Sequence, residues 1–319
     1  MFGWLKKDWR KSPAHLLLLS KFRNGDCPER YVNADHWKAA LGDAPGNVIA
    51  DFVADKVVTN GNIEDKVIFK FKLTELKEIA KCNGIKISGR KEDLAKRLVE
   101  RDSNAMLEAT RDVIVLVCTH DGRILVDEYL DRQMEERNDA VNQTLAALDR
   151  LQFAEAVRVV AKYESSQVFP RGVGINWRNP DVARGTTRLR YVFEHVPELL
   201  LGVNNLVLAE LRKAAAMMDL WGVSSAKPWC SMDYATGTHL DHDACARMLM
   251  FHASHLYKLQ EYVAMGIKRV EIVGTFDGAT CEACKKINGK KYPISKVPQL
   301  PNPFCTCKLG CRCTMAAIV

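Results

Sequence analysis

The spacing of the cysteines constrains this chain more than any other feature of its sequence. Of eleven cysteines, six lie in the two stretches TCEAC and NPFCTCKLGCRC near the end of the sequence. A structural zinc ion takes four ligands in a tetrahedron, and two groups of closely spaced cysteines supply them at least cost. We therefore predict a zinc site that uses four of six thiols and includes the Cys281-x-x-Cys284 pair. The six candidate ligands are Cys281, Cys284, Cys305, Cys307, Cys311 and Cys313.

Other uses of these thiols stay open on spacing alone, because clustered cysteines also form disulfides, exchange them, or pack as small buried side chains. The only apolar run near the N-terminus is Leu16 to Leu19, which is too short for a signal peptide, and no stretch reaches the length of a membrane span. These features predict a cytoplasmic protein with reduced thiols and no membrane partner. The proline-containing strap between the two cysteine groups has little regular structure of its own, which favours a metal staple.

The charge is unevenly distributed along the chain. The whole sequence has a formal charge of +7, with +4 on residues 64–101, −5 on 102–280 and +6 on 281–319. Two basic segments that flank an acidic body suggest contact with a polyanion. Lysines that are exposed only to solvent would give the same distribution of charge, so both interpretations stay open. The lysines of the last segment can also offset the net charge of about −2 on a zinc ion with four thiolates.

Residues 73–101 predict two short helices joined by an extended link. Apolar residues recur at three- and four-residue spacing in the first helix, and Gly84 follows its end as a C′ glycine. The link IKISGR comes next, and the second helix is expected to bury Leu94, Leu98 and Val99. Because helices this short bury little surface, the packing of these leucines must hold the unit together.

The same residues resemble the SAP motif, a helix–extended loop–helix module that binds DNA, often A·T-rich, with little sequence readout. The matching pattern is Leu-x-x-Leu-Lys, then Gly-Ile, then Ser-Gly-Arg-Lys-x-x-Leu-x-x-Arg-Leu. The resemblance implies backbone contact from the loop and the start of the second helix, and a glycine beside a basic helix N-terminus suits a phosphate. The alternatives are a solvated basic face and a protein-docking module. The predicted DNA-binding residues are Lys77, Lys86, Ser88, Gly89, Arg90, Lys91 and Arg97.

The segment between these modules predicts a β-hairpin followed by a helical body. In residues 113–130, two apolar runs flank Asp121-Gly122, a dipeptide typical of hairpin turns. The later segments have the periodicity of a helical bundle, and the last long helix is expected to run from the N-cap Asp241 to the C′ glycine Gly266. Four histidines at or in that helix raise the question of a second site, but their spacing favours core or surface positions: His239, His242, His252 and His255.

The cysteine-rich segment, residues 266–315, resembles the C-terminal motif of phage Mu F-like head-morphogenesis proteins, which are minor capsid proteins that associate with the portal. Asp277, the Cys-x-x-Cys pair, Gly-Lys-x-Tyr-Pro, a proline strap and a final Cys-Arg-Cys match it. Cys305 and Cys307 stand where the family has a histidine, so the ligand identity there is open. The resemblance implies capsid or portal partners and association with the virion.

Together these patterns predict a mainly α, multi-unit protein with a SAP module, a small β-hairpin and a zinc-stapled knuckle. The predicted segments are an N-terminal helical segment (1–63), the SAP-like module (64–103), a hairpin plus helical body (104–265) and the zinc-binding tail (266–319). The leading hypothesis is a non-enzymatic, DNA-associating protein of a phage or mobile element. The alternatives are a metal-dependent nuclease or toxin-like effector, and an interaction scaffold.

Overall fold

The computed structural model describes residues 8–172, 174–275 and 277–318. These residues fall into two units that divide between Glu136 and Arg137. The fold is mainly helical, as the sequence predicts, and the described residues also form a two-stranded and a three-stranded antiparallel sheet. Within the described ranges, no helix combines the length and the apolar character that a membrane crossing requires. The four predicted segments remain a prediction, and residues 1–7 of the first of them lie outside the described residues.

The first unit begins with short helices around an apolar core that contains Leu18, Leu19, Phe22 and Phe52. A short two-stranded sheet closes this part, with Val58 opposite Cys118 and Asn60 opposite Leu116. The helices are α1 (Pro13–Lys21), α2 (Glu29–Val32), α3 (Asp35–Leu41) and α4 (Pro45–Ala54), and the strands are β1 (Val58–Asn60) and β2 (Leu116–Cys118).

A four-helix module lies between the two strands in sequence and has its own apolar core. Its helices are α5 (Ile63–Lys70), α6 (Leu73–Cys82), α7 (Lys91–Arg101) and α8 (Ser103–Ala109). Leu94 and Leu98 are buried there as predicted, whereas Val99 is only partly buried. The predicted two-helix unit is therefore embedded in a larger core, to which α5 contributes Val67 and α8 contributes Met106.

The β-hairpin predicted at Asp121-Gly122 was wrong in position. These residues lie in the first turn of a long helix, α9 (His120–Asp149), and β2 pairs with β1 instead of with a following strand. The N–H of Gly122 donates to the Thr119 hydroxyl, and a Cβ atom at Gly122 would lie 2.0 Å from the Val57 carbonyl oxygen. The glycine therefore permits a close backbone contact and does not mark a turn.

The second unit is built on four further helices, as predicted for a helical body: α10 (Phe153–Ser166), α11 (Val182–Glu194), α12 (Asn205–Trp221) and α13 (His242–Ala264). The predicted ends of the last helix are confirmed. The Asp241 carboxylate accepts the N–H of Ala244 at 2.7 Å, and Gly266, with φ +74°, follows the C-terminal end.

The C-terminal part of this unit is a three-stranded antiparallel sheet in the order β4-β3-β5, with one short helix. Its elements are β3 (Arg269–Val273), α14 (Glu282–Ile287), β4 (Lys291–Pro293) and β5 (Thr314–Ile318). Val270 and Ile272 of the central strand share a single core with α12, α13 and the buried cysteines. The cysteine-rich segment is thus packed into the helical body.

We expect Leu94→Ala to destabilise the four-helix module by about 2–5 kcal/mol, because Leu94 is fully buried and its truncation leaves a cavity. Leu73→Ala, at a position that is 38% exposed on α6, is the matched control and should cost less than about 1 kcal/mol. Hydrogen exchange of the amides in residues 63–109, followed by mass spectrometry on the full chain, measures both. Equal loss of protection in the two variants would contradict this core assignment.

Candidate nucleic-acid interface and metal centre

The C-terminal end of α6 fixes the direction in which the basic loop leaves the helix. The N–H of Gly84 donates to the Lys81 carbonyl at 3.2 Å, and the N–H of Ile85 donates to the Ala80 carbonyl at 2.8 Å. This pair of bonds is the Schellman arrangement, which places a left-handed residue at C′, and Gly84 has φ +65°. Ile85 then packs against the module core and anchors the start of the loop.

The loop from Lys86 to Arg90 is an extended, exposed segment with a positive φ angle at Gly89. Gly89 has φ +112°, a backbone conformation that residues with a Cβ rarely adopt. A Cβ atom there would also lie 3.0 Å from the Asp93 carboxylate and 3.1 Å from the Arg97 guanidinium. Glycine is therefore required both by the backbone and by the space around it.

Arg97, which lies on α7, binds the backbone of the loop. Its guanidinium donates to the carbonyl oxygens of Lys86 and Ser88, and its Nε donates to the Asp93 carbonyl at 2.9 Å. These contacts tie three loop or helix carbonyls to one half-buried side chain. The structure thus gives Arg97 a positioning contact that its sequence pattern does not reveal.

Four other basic side chains of the predicted interface have no ion-pair partner in the part of the chain that the structure describes. In the described residues, no ion pair joins Lys77, Lys86, Arg90 or Lys91 to an acidic side chain within 4.0 Å. Lys77, Lys86 and Arg90 are exposed, and Lys91 is partly buried at the start of α7. This leaves a group of uncompensated positive charges beside the loop.

The N-terminus of α7 is already capped by the protein itself. The Asp93 carboxylate accepts the N–H of Arg90 at 2.9 Å, and Glu92 adds a second acidic side chain to the first turn. A bound phosphate would compete with the Asp93 carboxylate for the N–H of Arg90, and both acidic side chains would repel it. The helix end therefore contributes less to anion binding than the sequence suggests, and the exposed lysine and arginine side chains contribute more.

All six cysteines of the C-terminal segment converge, and their sulfurs form two groups. Within each group, every Sγ lies within 4.8 Å of the others, and Cys284 belongs to both. Cys281 is the N-cap of α14, Cys284 lies in its first turn, and the remaining four precede β5 on the strap. Such a cluster of thiols can hold a metal ion. The groups are Cys281, Cys284, Cys305 and Cys307, and Cys284, Cys311 and Cys313.

None of the eleven cysteines forms a disulfide. Cys281 Sγ lies 4.0 Å from Cys305 Sγ, and Cys284 Sγ lies 3.8 Å from Cys311 Sγ. A disulfide bond is about 2.05 Å long, whereas two sulfurs at adjacent corners of a zinc–thiolate tetrahedron with bonds of about 2.3 Å lie about 3.8 Å apart. The spacing of the thiols fits metal ligation.

Backbone N–H groups donate to sulfurs of the cluster, and two of the thiols, those of Cys281 and Cys311, have a lowered pKa. The N–H of Thr306 donates to Cys281 Sγ at 3.4 Å, and that of Asn302 donates to Cys311 Sγ at 3.2 Å. Burial acts to raise the pKa of Cys281, but these backbone and thiol donors outweigh it and bring the pKa to about 6. Hydrogen bonds from neighbouring thiols lower the pKa of Cys311, whereas burial raises that of Cys284 to about 12. Hydrogen-bond donors around a thiolate also stabilise it as a metal ligand.

Two contacts that the sequence did not indicate hold the cysteine strap in place. The Asn302 side chain donates to the Ala283 carbonyl at 3.0 Å, which ties the strap to α14. The Met248 sulfur of α13 accepts the N–H of Cys311 at 3.2 Å, and Gly310 (φ +82°) makes room for that methionine. The burial of Asn302, three residues before Cys305, is visible only in the structure.

Asp277 and Arg312 form an ion pair between the loop before Cys281 and the Cys-Arg-Cys end of the segment. Arg312 donates to both carboxylate oxygens of Asp277, at 2.6 and 2.7 Å, and Thr280 donates to the same carboxylate at 3.0 Å. These hydrogen bonds hold the pKa of Asp277 well below its usual range. The bidentate pair joins the loop before Cys281 to the Cys-Arg-Cys end.

The four histidines do not form a metal site with one another. Among the described residues, the only side-chain groups with metal-ligand spacing consist of cysteines. His239 is exposed, His242 is buried, and the Nδ1 atom of His252 lies 2.8 Å from the Leu300 carbonyl. His252 and His255 line a cleft of about 360 Å³ together with His195, which the sequence analysis did not single out.

The comparisons with known proteins identify one part of the chain. Residues 68–102 match the SAP domain, which covers the loop and both helices described above. No curated protein and no solved structure matches the chain. The SAP domain associates this region with nucleic-acid binding, whereas no comparison supports the head-morphogenesis resemblance.

We expect Arg97→Gln to loosen the loop without unfolding the module, because the shorter amide cannot reach the Lys86 and Ser88 carbonyls together. Lys96→Gln, one residue away and exposed, is the matched control. Amide hydrogen exchange in residues 86–90 should accelerate at least several-fold in the first variant and stay unchanged in the second. Unchanged exchange in both variants would show that the arginine contacts do not hold the loop.

Proposed function

We propose that this protein associates with DNA through its SAP domain, binds phosphates electrostatically with little sequence readout, and acts as a non-enzymatic component. The observation that carries the proposal is the SAP match at residues 68–102, on a loop with uncompensated basic side chains. Phosphate contacts supply most non-specific binding energy and carry no direct sequence information. Preference for A·T-rich DNA belongs to the same proposal.

The proposed contacts come from three parts of the module. Lys86 and the loop around Ser88 approach the phosphates, Arg90 and Lys91 flank them at the start of α7, and Lys77 extends the basic surface on α6. Gly89 lets the DNA backbone approach closely because it has no side chain. In this proposal, Arg97 acts mainly as a positioning residue, since its guanidinium donates to the loop carbonyls.

We also propose that the cysteine cluster holds zinc as a structural ion, with Cys281 and Cys284 among its ligands. Thiolate ligands in tetrahedral spacing favour zinc over magnesium or calcium, which prefer oxygen. The ion would join α14 to the strap that carries the later cysteines, which fits a segment with short strands and little helix.

A relation to phage head-morphogenesis proteins, with capsid or portal partners and association with the virion, is a further part of the proposal. It rests on the sequence pattern of residues 266–315. The Asp277–Arg312 pair offers a physical reason for two of the pattern's positions, because it joins the two ends of the cysteine segment. Co-purification of the chain with assembled capsids, or its absence from them, tests this part.

We expect the double reversal Arg90→Glu/Lys91→Glu to weaken binding of the full-length protein to all duplexes alike. Since each lost phosphate contact removes about 0.9 from the slope of log K against log salt, the slope should fall by about 2 in magnitude. The control Arg132→Glu/Lys162→Glu makes the same charge change on exposed positions of α9 and α10. Fluorescence anisotropy with A·T-rich and G·C-rich duplexes over a salt series gives both measurements.

Three outcomes would contradict the DNA proposal. Wild-type binding that is absent or independent of salt would leave protein docking as the role of the SAP domain. Equal weakening by the two double variants would mean that net charge, and not this loop, determines affinity. Metal-dependent cleavage of the duplex, lost in His252→Ala or His255→Ala, would favour the nuclease alternative.

We expect a zinc chelator, added under reducing conditions, to expose the C-terminal segment. Amides of residues 269–318 should lose hydrogen-exchange protection, whereas those of residues 63–109 serve as an internal reference. Structural zinc sites contribute folding energy, so the loss should be reversed by adding zinc. A segment that resists the chelator but opens with reductant alone would indicate disulfides instead.

A further inference from the structure

The sulfur cluster has more ligands than one zinc ion can use. A tetrahedral ion at Cys281, Cys284, Cys305 and Cys307 is complete with four thiolates. Cys311 and Cys313 then remain, with 1% and 4% of their surface exposed, and both lie within 4.8 Å of the Cys284 sulfur. Two buried thiols that face a ligand of the first ion need an explanation of their own.

We propose that the six cysteines hold two metal ions that share the thiolate of Cys284. This inference rests on the zinc binding proposed above and extends it to a second ion at Cys311 and Cys313. The observation that carries it is the membership of Cys284 in both sulfur groups, with its Sγ 3.8 Å from that of Cys311. That distance is the edge of about 3.8 Å expected for a zinc–thiolate tetrahedron.

Ligand counting defines what the second ion can use. Among the described residues, Cys284 is the one cysteine in both sulfur groups, whereas Cys305 belongs to the first group alone. With Cys284 as the bridge, Cys281, Cys305 and Cys307 complete the tetrahedron of the first ion. The second ion then has three thiolates, from Cys284, Cys311 and Cys313, and takes its fourth ligand from outside these six thiols.

The charge balance also permits the second ion. One zinc ion with four thiolates carries a net charge of about −2, and two zinc ions with six thiolates carry the same net charge. The second ion thus allows two more thiols to ionise without adding negative charge to a buried site. Backbone donors are already directed at terminal sulfurs of both ions, from Cys281 to Cys307 at 3.3 Å and from Asn302 to Cys311 at 3.2 Å.

The metal content of the full-length protein, purified under reducing conditions with zinc present, tests this inference. Elemental analysis should give two zinc ions per chain for the wild type and one for Cys313→Ser. Cys82→Ser changes an exposed cysteine outside the cluster and should keep both ions. One ion per chain in the wild type, retained in Cys313→Ser, would overturn the second site but leave the proposed zinc staple intact. No metal in the wild type would overturn both.

Cobalt substitution tests the bridge itself and stays informative where a serine variant misfolds. Titration of the metal-free protein with Co²⁺ should produce sulfur-to-metal charge-transfer absorption that levels off at two equivalents. Two Co²⁺ ions joined by a thiolate couple magnetically, so the magnetic moment per ion should fall as the second equivalent binds. A moment per ion that stays constant between one and two equivalents would show two separate sites and would exclude the bridging thiolate.

Discussion

The convergence of six thiols, five of them buried, is the constraint on which the C-terminal segment of this protein depends. The sheet beside them has strands of only three to five residues, and such a sheet has little stability of its own. Val270 and Ile272 of its central strand lie in one apolar core with buried residues of α13 and with the buried cysteines. A metal centre would connect α14, the strap and the start of β5. Of these three parts, only β5 belongs to the sheet and is held by its backbone hydrogen bonds.

The loop of the SAP domain is also held by contacts from outside it, and these contacts are hydrogen bonds from Arg97. The Arg97 guanidinium donates to two loop carbonyls, and Gly89 has no Cβ atom that would collide with it. The loop is therefore held in an extended shape before any ligand arrives, which lowers the entropy that binding would otherwise cost. Because Asp93 caps α7, the attraction for a polyanion comes from exposed side chains around this fixed loop.

Local features of the fold were predictable from sequence, and long-range pairing was not. The C′ glycine at Gly84 and the N-cap at Asp241 depend on a few neighbouring residues, and both predictions were confirmed. The hairpin at Asp121-Gly122 failed because β2 pairs with a strand almost sixty residues earlier, which local alternation cannot reveal. Spacing likewise identified the six cysteines, but only the fold shows that Cys284 belongs to two sulfur groups. The hydrogen bonds of Arg97 to the loop could not be predicted either, because the sequence pattern of a basic residue on a helix is the same whether its side chain faces solvent or a carbonyl.

The positive charge of the cysteine segment exceeds what a metal centre needs. Residues 281–319 carry a formal charge of +6, and a zinc–thiolate cluster of either stoichiometry supplies about −2, which leaves about +4. Glu282, which pairs with Lys285, is already counted in that sum, whereas Asp277 lies outside the segment and pairs with Arg312. About +3 therefore remains, and it lies on the exposed lysines. Since neither the metal centre nor these ion pairs use that charge, it is available to a polyanion. The charge distribution thus gives the C-terminal segment the same electrostatic preference as the SAP module, by an independent set of side chains: Lys286, Lys290, Lys291, Lys296 and Lys308.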